Sequence, residues 1–558
     1  MSEAAALRWA AAIAWTTAAL FFAVALFIAI VIPIHFQDAL TFGEWSRLIA
    51  EEWGFHYPSV PAQAYGRPLF YVLQGWTWGL LGFAEPLGRV LSGLFSLLLL
   101  AALIWLVRDR PWGRAAAALA AVALVASPVF ANQVVSGLTD IPVAALVAVA
   151  GALVWGRRPG EARAAAAGLV AALAVLAKPS ALLALVGLAC AQLLVAEPVR
   201  LRLLYRVVPL AAGVVAGLVY DLTQARYVDQ GLRTFLQAGV NTDYYRTLAD
   251  EARRFALLDA SWFGDSLRVP VLFALAYAVL RLAQVAHRAA AAVAVVFGLI
   301  ASWLGPWLAA GENDFTVGSL HSTGAALATL GSAAVLTFAA FYDGDAVPSS
   351  RELLRFGVWA LPTFLAWVFY GAYDFRLLAP AWPPLLALIV VCALPAVAAL
   401  ARRGPYVAAI PFVLLAIVVA ENVYNVDGLG KSGWSEVRRT PVSDWSNEST
   451  MRAIVMPAFS RTLDVVQPFM RPEDELISPE GAFRFFFPGH VEQAFPSGCG
   501  HLARFRVFVL LTDEGSRRYM EDFLHVSGDP SYWANCEEPR LQQLTDGSEG
   551  YAVFVVES

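Results

Sequence analysis

Residues 10–34 read AAAIAWTTAALFFAVALFIAIVIPI, twenty-five positions without one charged side chain. A helix rises about 1.5 Å per residue, so a run of this length covers a hydrocarbon core of roughly 30 Å. It is too long for a removable signal peptide, only Arg8 marks an n-region, and no small-residue cleavage site follows. The same apolar character returns in AAAALAAVALVASPVF at 115–130 and FGVWALPTFLAWVFY at 356–370. Hydrophobic residues make up 59% of the 558 and charged ones 15%, where a soluble domain carries about a quarter. Mean hydropathy is +0.61. The chain therefore reads as an α-helical protein crossing a lipid bilayer many times. A net charge of -5 says little about partners, and no basic block with interleaved aromatics points to nucleic acid.

Length and breaks at charged loops divide the chain into about thirteen spans. They run roughly 10–34, 86–107, 115–131, 140–156, 164–177, 180–196, 204–221, 268–286, 289–309, 322–341, 356–371, 377–400 and 404–421. Lys178-Pro179 stands where one apolar region breaks into two short helices. Basic residues cluster in Arg108/Arg110/Arg114, Arg157/Arg158/Arg163, Arg200/Arg202/Arg206 and Arg402/Arg403, while the segment 132–139 between two such loops has none. The positive-inside rule puts all four clusters on the cytoplasmic face only if the N-terminus is cytoplasmic. An odd span count then leaves the C-terminus outside. The expected layout is a membrane domain over 1–421 with outer loops 34–85 and 222–267, followed by an extracytoplasmic domain over 422–558. In a bacterial cell this is a multi-pass protein of the cytoplasmic (inner) membrane.

From about Glu421 the composition turns soluble. Phe505-Arg506-Val507-Phe508-Val509 and Tyr551-Ala552-Val553-Phe554-Val555 read as strands, and about 130 residues suffice for one small α/β domain. Cys499 and Cys536 lie in that domain, where the compartment permits disulfides, and a bond between them is expected. Cys190 and Cys392 fall inside spans and read as small core residues. Neither pair has metal-ligand spacing.

Ionisable groups at membrane depth are costly and mark sites. Asp38, Asp140, Lys178 and Arg376 stand at the outer ends of spans, and Arg67 lies in the first outer loop. Each has a plain structural alternative. Asp38 can be a solvated loop carboxylate, and Asp140 can N-cap its span. Lys178 can snorkel, and Arg376 can pair with Asp374 at the surface. Their convergence on one membrane face is what singles them out.

The first outer segment reads Asp38-Ala39-Leu40-Thr41-Phe42-Gly43-Glu44-Trp45, then Tyr65-Gly66-Arg67-Pro68-Leu69-Phe70-Tyr71, then Glu85-Pro86-Leu87-Gly88-Arg89-Val90-Leu91-Ser92. This order resembles the start of GT-C glycosyltransferases of the family 39 type, such as lipid A aminoarabinose transferases and protein O-mannosyltransferases. Leu138-Thr139-Asp140, Leu176-Ala177-Lys178-Pro179 and Arg376-Leu377-Leu378-Ala379-Pro380 resemble the family's later landmarks in the same order. The resemblance spans about the first 400 residues in architecture and about five short motifs in letters. This chain departs where Ala39 follows Asp38, where Pro68-Leu69 replaces Pro-Pro, and where Arg67 stands in place of the commoner Lys. None of its expected outer segments carries the Asp-x-Asp motif of metal-dependent oligosaccharyltransferases.

The resemblance implies a cell-envelope glycosylation enzyme: a sugar leaves a polyprenyl-monophosphate donor for a lipid, glycan or protein acceptor at the outer face. Phosphate is a good leaving group and needs fixed positive charge rather than a general acid. Arg67 suits it because its planar fork donates twice, with Lys178 or Arg376 as a second charge. Asp38 is the expected base for the acceptor hydroxyl and Asp140 its helper, in a single inverting displacement. Glu44 and Tyr65 are weaker candidates for substrate contact. No cofactor is implied and no metal dependence is expected. Two other classes compete. A secondary transporter would also carry charges near membrane depth and a broken helix such as that at Pro179, but no matched pair of broken spans appears in two halves. A scaffold or receptor leaves the charged first outer segment without a purpose. For topology, protease added to intact spheroplasts should remove the domain after Glu421 and spare the loops at 108–114 and 157–163; full protection would reverse the orientation.

Overall fold

A computed structural model describes residues 3–34, 37–52, 68–156, 159–227, 267–310, 323–368, 375–426, 430–523, 525 and 527–557. The chain begins α1 (Glu3–Val31), α2 (Gln37–Glu52), α3 (Pro68–Leu81), α4 (Glu85–Val107), α5 (Gly113–Val125), α6 (Pro128–Gln133), α7 (Asp140–Val154), α8 (Glu161–Ala177) and α9 (Ala181–Leu193). A π-turn, Leu203–Val207, joins α10 (Val199–Arg202) to α11 (Val208–Tyr227). Six more long helices follow: Arg268–Leu282, His287–Ala310, Thr323–Thr337, Ser350–Ala366, Trp382–Arg403 and Pro405–Asn425. Each of the thirteen apolar segments thus holds a helix. Among the described residues five stretches are long and apolar enough to cross a membrane: Arg8–Val31, Glu85–Val107, Val199–Tyr220, Leu378–Arg403 and Pro405–Val423.

Several of the others are short. α5 and α9 have 13 residues each, about 20 Å of rise. α5 is followed directly by α6, whose start is capped by Ser127: the hydroxyl accepts from the Phe130 amide at 3.4 Å, and Pro128 takes the first turn, where no N–H is needed. Thr323–Thr337 likewise runs into a 3₁₀ turn, Phe338–Phe341.

The chain forms two compact units. The first comprises Met1–Phe27, Tyr65–Phe70 and Ser92–Gly430; the second comprises Ile28–Ala64, Tyr71–Leu91 and Lys431–Ser558. In the first unit small residues let backbones approach. A Cβ at Gly213 would stand 1.9 Å from the Gly168 carbonyl oxygen, so α8 and α11 meet only because both positions are glycine. The helix Trp382–Arg403 is almost wholly buried and apolar on all sides, as a central helix must be. Cys392 on it is buried, but Cys190 is exposed, against its reading as a core residue. The buried face of α9 is Ala181, Ala184, Leu185, Leu188, Ala191 and Gln192, and helical spacing puts Cys190 on the other face.

In the second unit α2 packs against the short helix Phe483–Phe486 of the C-terminal part. A five-stranded sheet has the order β2-β1-β3-β5-β4, from β1 (Leu476–Ile477), β2 (Val491–Glu492), β3 (Val507–Leu511), β4 (Leu541–Gln543) and β5 (Tyr551–Val556). β1 pairs in parallel with β2 and β3, while β5 runs antiparallel to β3 and β4, with Phe508 opposite Phe554. Those two rings stack at 5.4 Å, and Trp533 meets Phe508 edge-on at 5.1 Å. On β5 Tyr551 meets Phe459 of the helix Pro457–Val466. Both faces of β3 and β5 are therefore covered.

A disulfide joins Cys499 and Cys536, with Cα atoms 5.7 Å apart and the two residues 37 positions apart in the chain. Chain-entropy models give such a loop about 3–4 kcal/mol of stabilisation. Replacing both cysteines by serine should lower the unfolding free energy of the C-terminal domain by that order, and non-reducing mass spectrometry of the native protein should recover the 499–536 bond. Two free thiols would refute it.

Candidate functional site

In the first unit two of the candidate charges meet at a break between two helices. Pro179 disfavours the helical conformation at the residue before it, and Lys178 is extended (φ -164°, ψ 126°) and ends α8. Its amide still donates to the Ala174 carbonyl at 3.1 Å, while its side chain turns to α7. There the Lys178 ammonium donates to the Asp140 carboxylate at 2.5 Å, with side chains 9% and 4% exposed. Asp140 is not the cap of α7: Thr139 holds that position and makes no side-chain cap bond. Asp140 stands in the first turn, where the amide ends of the helix favour a negative charge. Two charges that the sequence reading treated separately are thus one buried ion pair.

The 3₁₀ turn Phe375–Ala381, which carries Arg376, packs on α6, α7 and α9. Its backbone thereby joins the helix bearing Asp140 and the helix that follows Lys178. The side chain of Arg376 lies outside the described residues, as do Arg67 and Tyr65. The Asp38 side chain is also outside them, although its backbone is the second residue of α2.

In the second unit Glu44 of α2 is buried and held by the Arg484 guanidinium at 2.6 Å and by the Gly489 amide at 3.0 Å. Burial pushes the Glu44 carboxyl above the usual range, and the attraction of Arg484 offsets only part of that. One turn on, Arg47 donates to the Phe485 carbonyl at 2.5 Å and lies 5.0 Å from the Phe83 ring. Glu44 therefore ties α2 to residues near the short helix Phe483–Phe486.

The same unit holds a buried charged cluster at the head of α4 that charge spacing along the chain does not single out. Glu85, in the first turn of α4, accepts from the Ile34 amide at 2.8 Å and from Arg452. Arg89, one turn further, donates to the carbonyls of Ile32 and Pro33 at 2.8 and 2.6 Å. Glu85 and Arg89 are each 1% exposed and Arg452 5%. The signal in the sequence is their place: a Glu and an Arg four residues apart at the head of an apolar helix are expensive unless partnered.

No family model and no curated protein matches the sequence. Among solved structures, ArnT from Cupriavidus metallidurans bound to undecaprenyl phosphate is similar in fold at TM-score 0.50 and 13% identity, over 97% of each chain. ArnT from Cupriavidus metallidurans in the apo state matches at TM-score 0.42 and 15% identity, over 96% of this chain and 97% of that one. The Archaeoglobus fulgidus oligosaccharyltransferase in its apo form matches at 0.47 and 14%, over 93% of this chain and 72% of that one. With the helices above, the first of these defines the class: a polytopic α-helical membrane protein of the GT-C fold, carrying a small C-terminal α/β domain.

Breaking a buried ion pair by removing one partner costs about 3–5 kcal/mol, while replacing both with apolar groups is often neutral. Asp140→Leu and Lys178→Met should therefore each lower the thermal stability of the protein in nanodiscs, and the double variant should regain most of the loss. Additive losses, read by calorimetry, would show that the two charges are not coupled.

Proposed function

We propose that this protein is a glycosyltransferase that moves a sugar from a polyprenyl-monophosphate donor to an acceptor at the outer face of the cytoplasmic membrane. The observation that carries the reading is the fold shared over nearly the whole chain with ArnT, a protein whose structure holds undecaprenyl phosphate. The ordered motifs around Asp38, Arg67, Asp140, Lys178 and Arg376 support it independently of the fold. Basic clusters in alternate loops support a cytoplasmic N-terminus and an outer C-terminal domain.

The chemistry asks little. The bond between the anomeric carbon and the phosphate oxygen breaks, the acceptor oxygen attacks from the opposite side, and the configuration inverts. Negative charge grows on the departing phosphate, where Arg67 acts as a bidentate donor and Arg376 as a second cation. Asp38 takes the proton of the acceptor hydroxyl. Asp140 orients Lys178 by the ion pair described above. In this reading the arginines take the role that a metal ion would otherwise fill at the phosphate. The acceptor hydroxyl belongs to a lipid, a glycan or a protein.

Membranes containing the protein, given a labelled polyprenyl-phosphate sugar, should release free polyprenyl phosphate. Asp38→Asn should fold and insert normally while turnover falls by roughly 10² to 10⁴. Sugar crossing the membrane with no bond cleaved would replace this reading with transport. Normal transfer by Asp38→Asn would move the base to another carboxylate, with Asp140 the first to test.

A further inference from the structure

We propose that the C-terminal domain is a positioning element for the transfer site, acting through Arg452 on Glu85 to set where α1 ends and α2, with Asp38 as its second residue, begins. This rests on the transferase reading above.

The geometry starts from the end of a helix. α1 stops at Val31, and the Ile32 amide is the last to reach back, donating to Ile28 at 2.9 Å. Pro33 brings no N–H, so the chain leaves the helix with the Ile32 and Pro33 carbonyls and the Ile34 amide in search of partners. All three are met by α4, whose Arg89 spans the two carbonyls while Glu85 takes the amide. Ile34 is four positions before Asp38, so this clamp sets the exit from which α2 starts.

Glu85 does not stand alone. Its second oxygen accepts from Arg452, on the helix Glu448–Val455 of the C-terminal part. The Arg452 guanidinium also lies 4.6 Å from the Phe486 ring. Next to that ring Arg484 and the Gly489 amide hold Glu44, and the Phe485 carbonyl holds Arg47. The C-terminal part thus grips the first outer segment at its hinge and again along α2.

The choice of chemistry argues for positioning. A domain that only needed to stay attached would do as well with an apolar contact, since buried ion pairs add little net stability. What a charged hydrogen bond from Arg452 to one Glu85 oxygen supplies is a direction, leaving the other oxygen on the Ile34 amide. Arg452 touches no reacting atom in this account; it acts through Glu85.

The test uses the full-length protein in nanodiscs, with hydrogen exchange of the peptide covering 32–44 read beside donor kinetics. In Arg452→Ala, exchange of that peptide should rise about tenfold as the clamp opens more often. Turnover should fall at least about tenfold while the donor KM stays within about threefold. Arg452→Lys, which keeps the charge, should recover most of both. A folded Arg452→Ala with unchanged exchange would overturn the proposal, as would unchanged turnover in an enzyme that transfers sugar. If Arg452→Ala does not fold, Glu85→Gln decides in the same way, because it keeps an acceptor for the Ile34 amide and loses the ion pair. If the wild-type protein transfers no sugar the proposed function falls, and the exchange result alone decides whether Arg452 holds the segment.

Discussion

A helix that ends inside an apolar medium leaves carbonyls with no water to receive them, and this constraint shapes the molecule more than any other. The chain meets it with side chains from distant segments. At the end of α1, Arg89 takes the carbonyls of Ile32 and Pro33. Just past α5 the Asn422 amide donates to Ala126 at 2.8 Å. At the end of α7, the fully buried Arg206 reaches Val154 and, at 3.1 Å, Gly156, while Glu197 at 2.6 Å balances its charge. Arg206 belongs to a cluster that the positive-inside rule reads as loop charge. Here the same residue is also a structural cap.

The same economy explains why the helices were legible and their partners were not. Apolar length alone locates thirteen helices, and Lys178-Pro179 announces its own break, because a proline's demand on its neighbour is local. Pairing is different. Glu85 and Arg452 stand 367 positions apart, and Asp140 and Lys178 stand 38 apart. Nothing in the spacing of charges along a chain chooses among so many possible partners. Residues 37–52 read as a loop because they have no continuous apolar run; α2 carries mixed polarity and is satisfied by Arg484, Gly489 and Phe485, more than four hundred residues later.

The C-terminal sheet shows a milder version of the problem. Val507–Leu511 and Tyr551–Val556 were legible as strands, yet neither alternates strictly between apolar and polar. A strand covered on both faces has no polar side to show. Which layers do the covering depends on Phe459, Phe483 and Trp533, aromatic residues whose own segments carry weak local signals.

Buried charges in this protein divide by what they hold. Arg89 and Arg206 bind backbone oxygens, and a planar fork suits that task because one group spans two carbonyls. Lys178 and Asp140 bind each other, side chain to side chain. Lysine occurs only twice in the 558 residues, at 178 and 431, so a lysine here is not the residue this chain uses by habit. A compact ammonium on a flexible stem is what an extended residue before proline can turn toward a carboxylate on a neighbouring helix. The helix break, the extended backbone and the choice of lysine are therefore one arrangement. It delivers a single point charge to the first turn of α7.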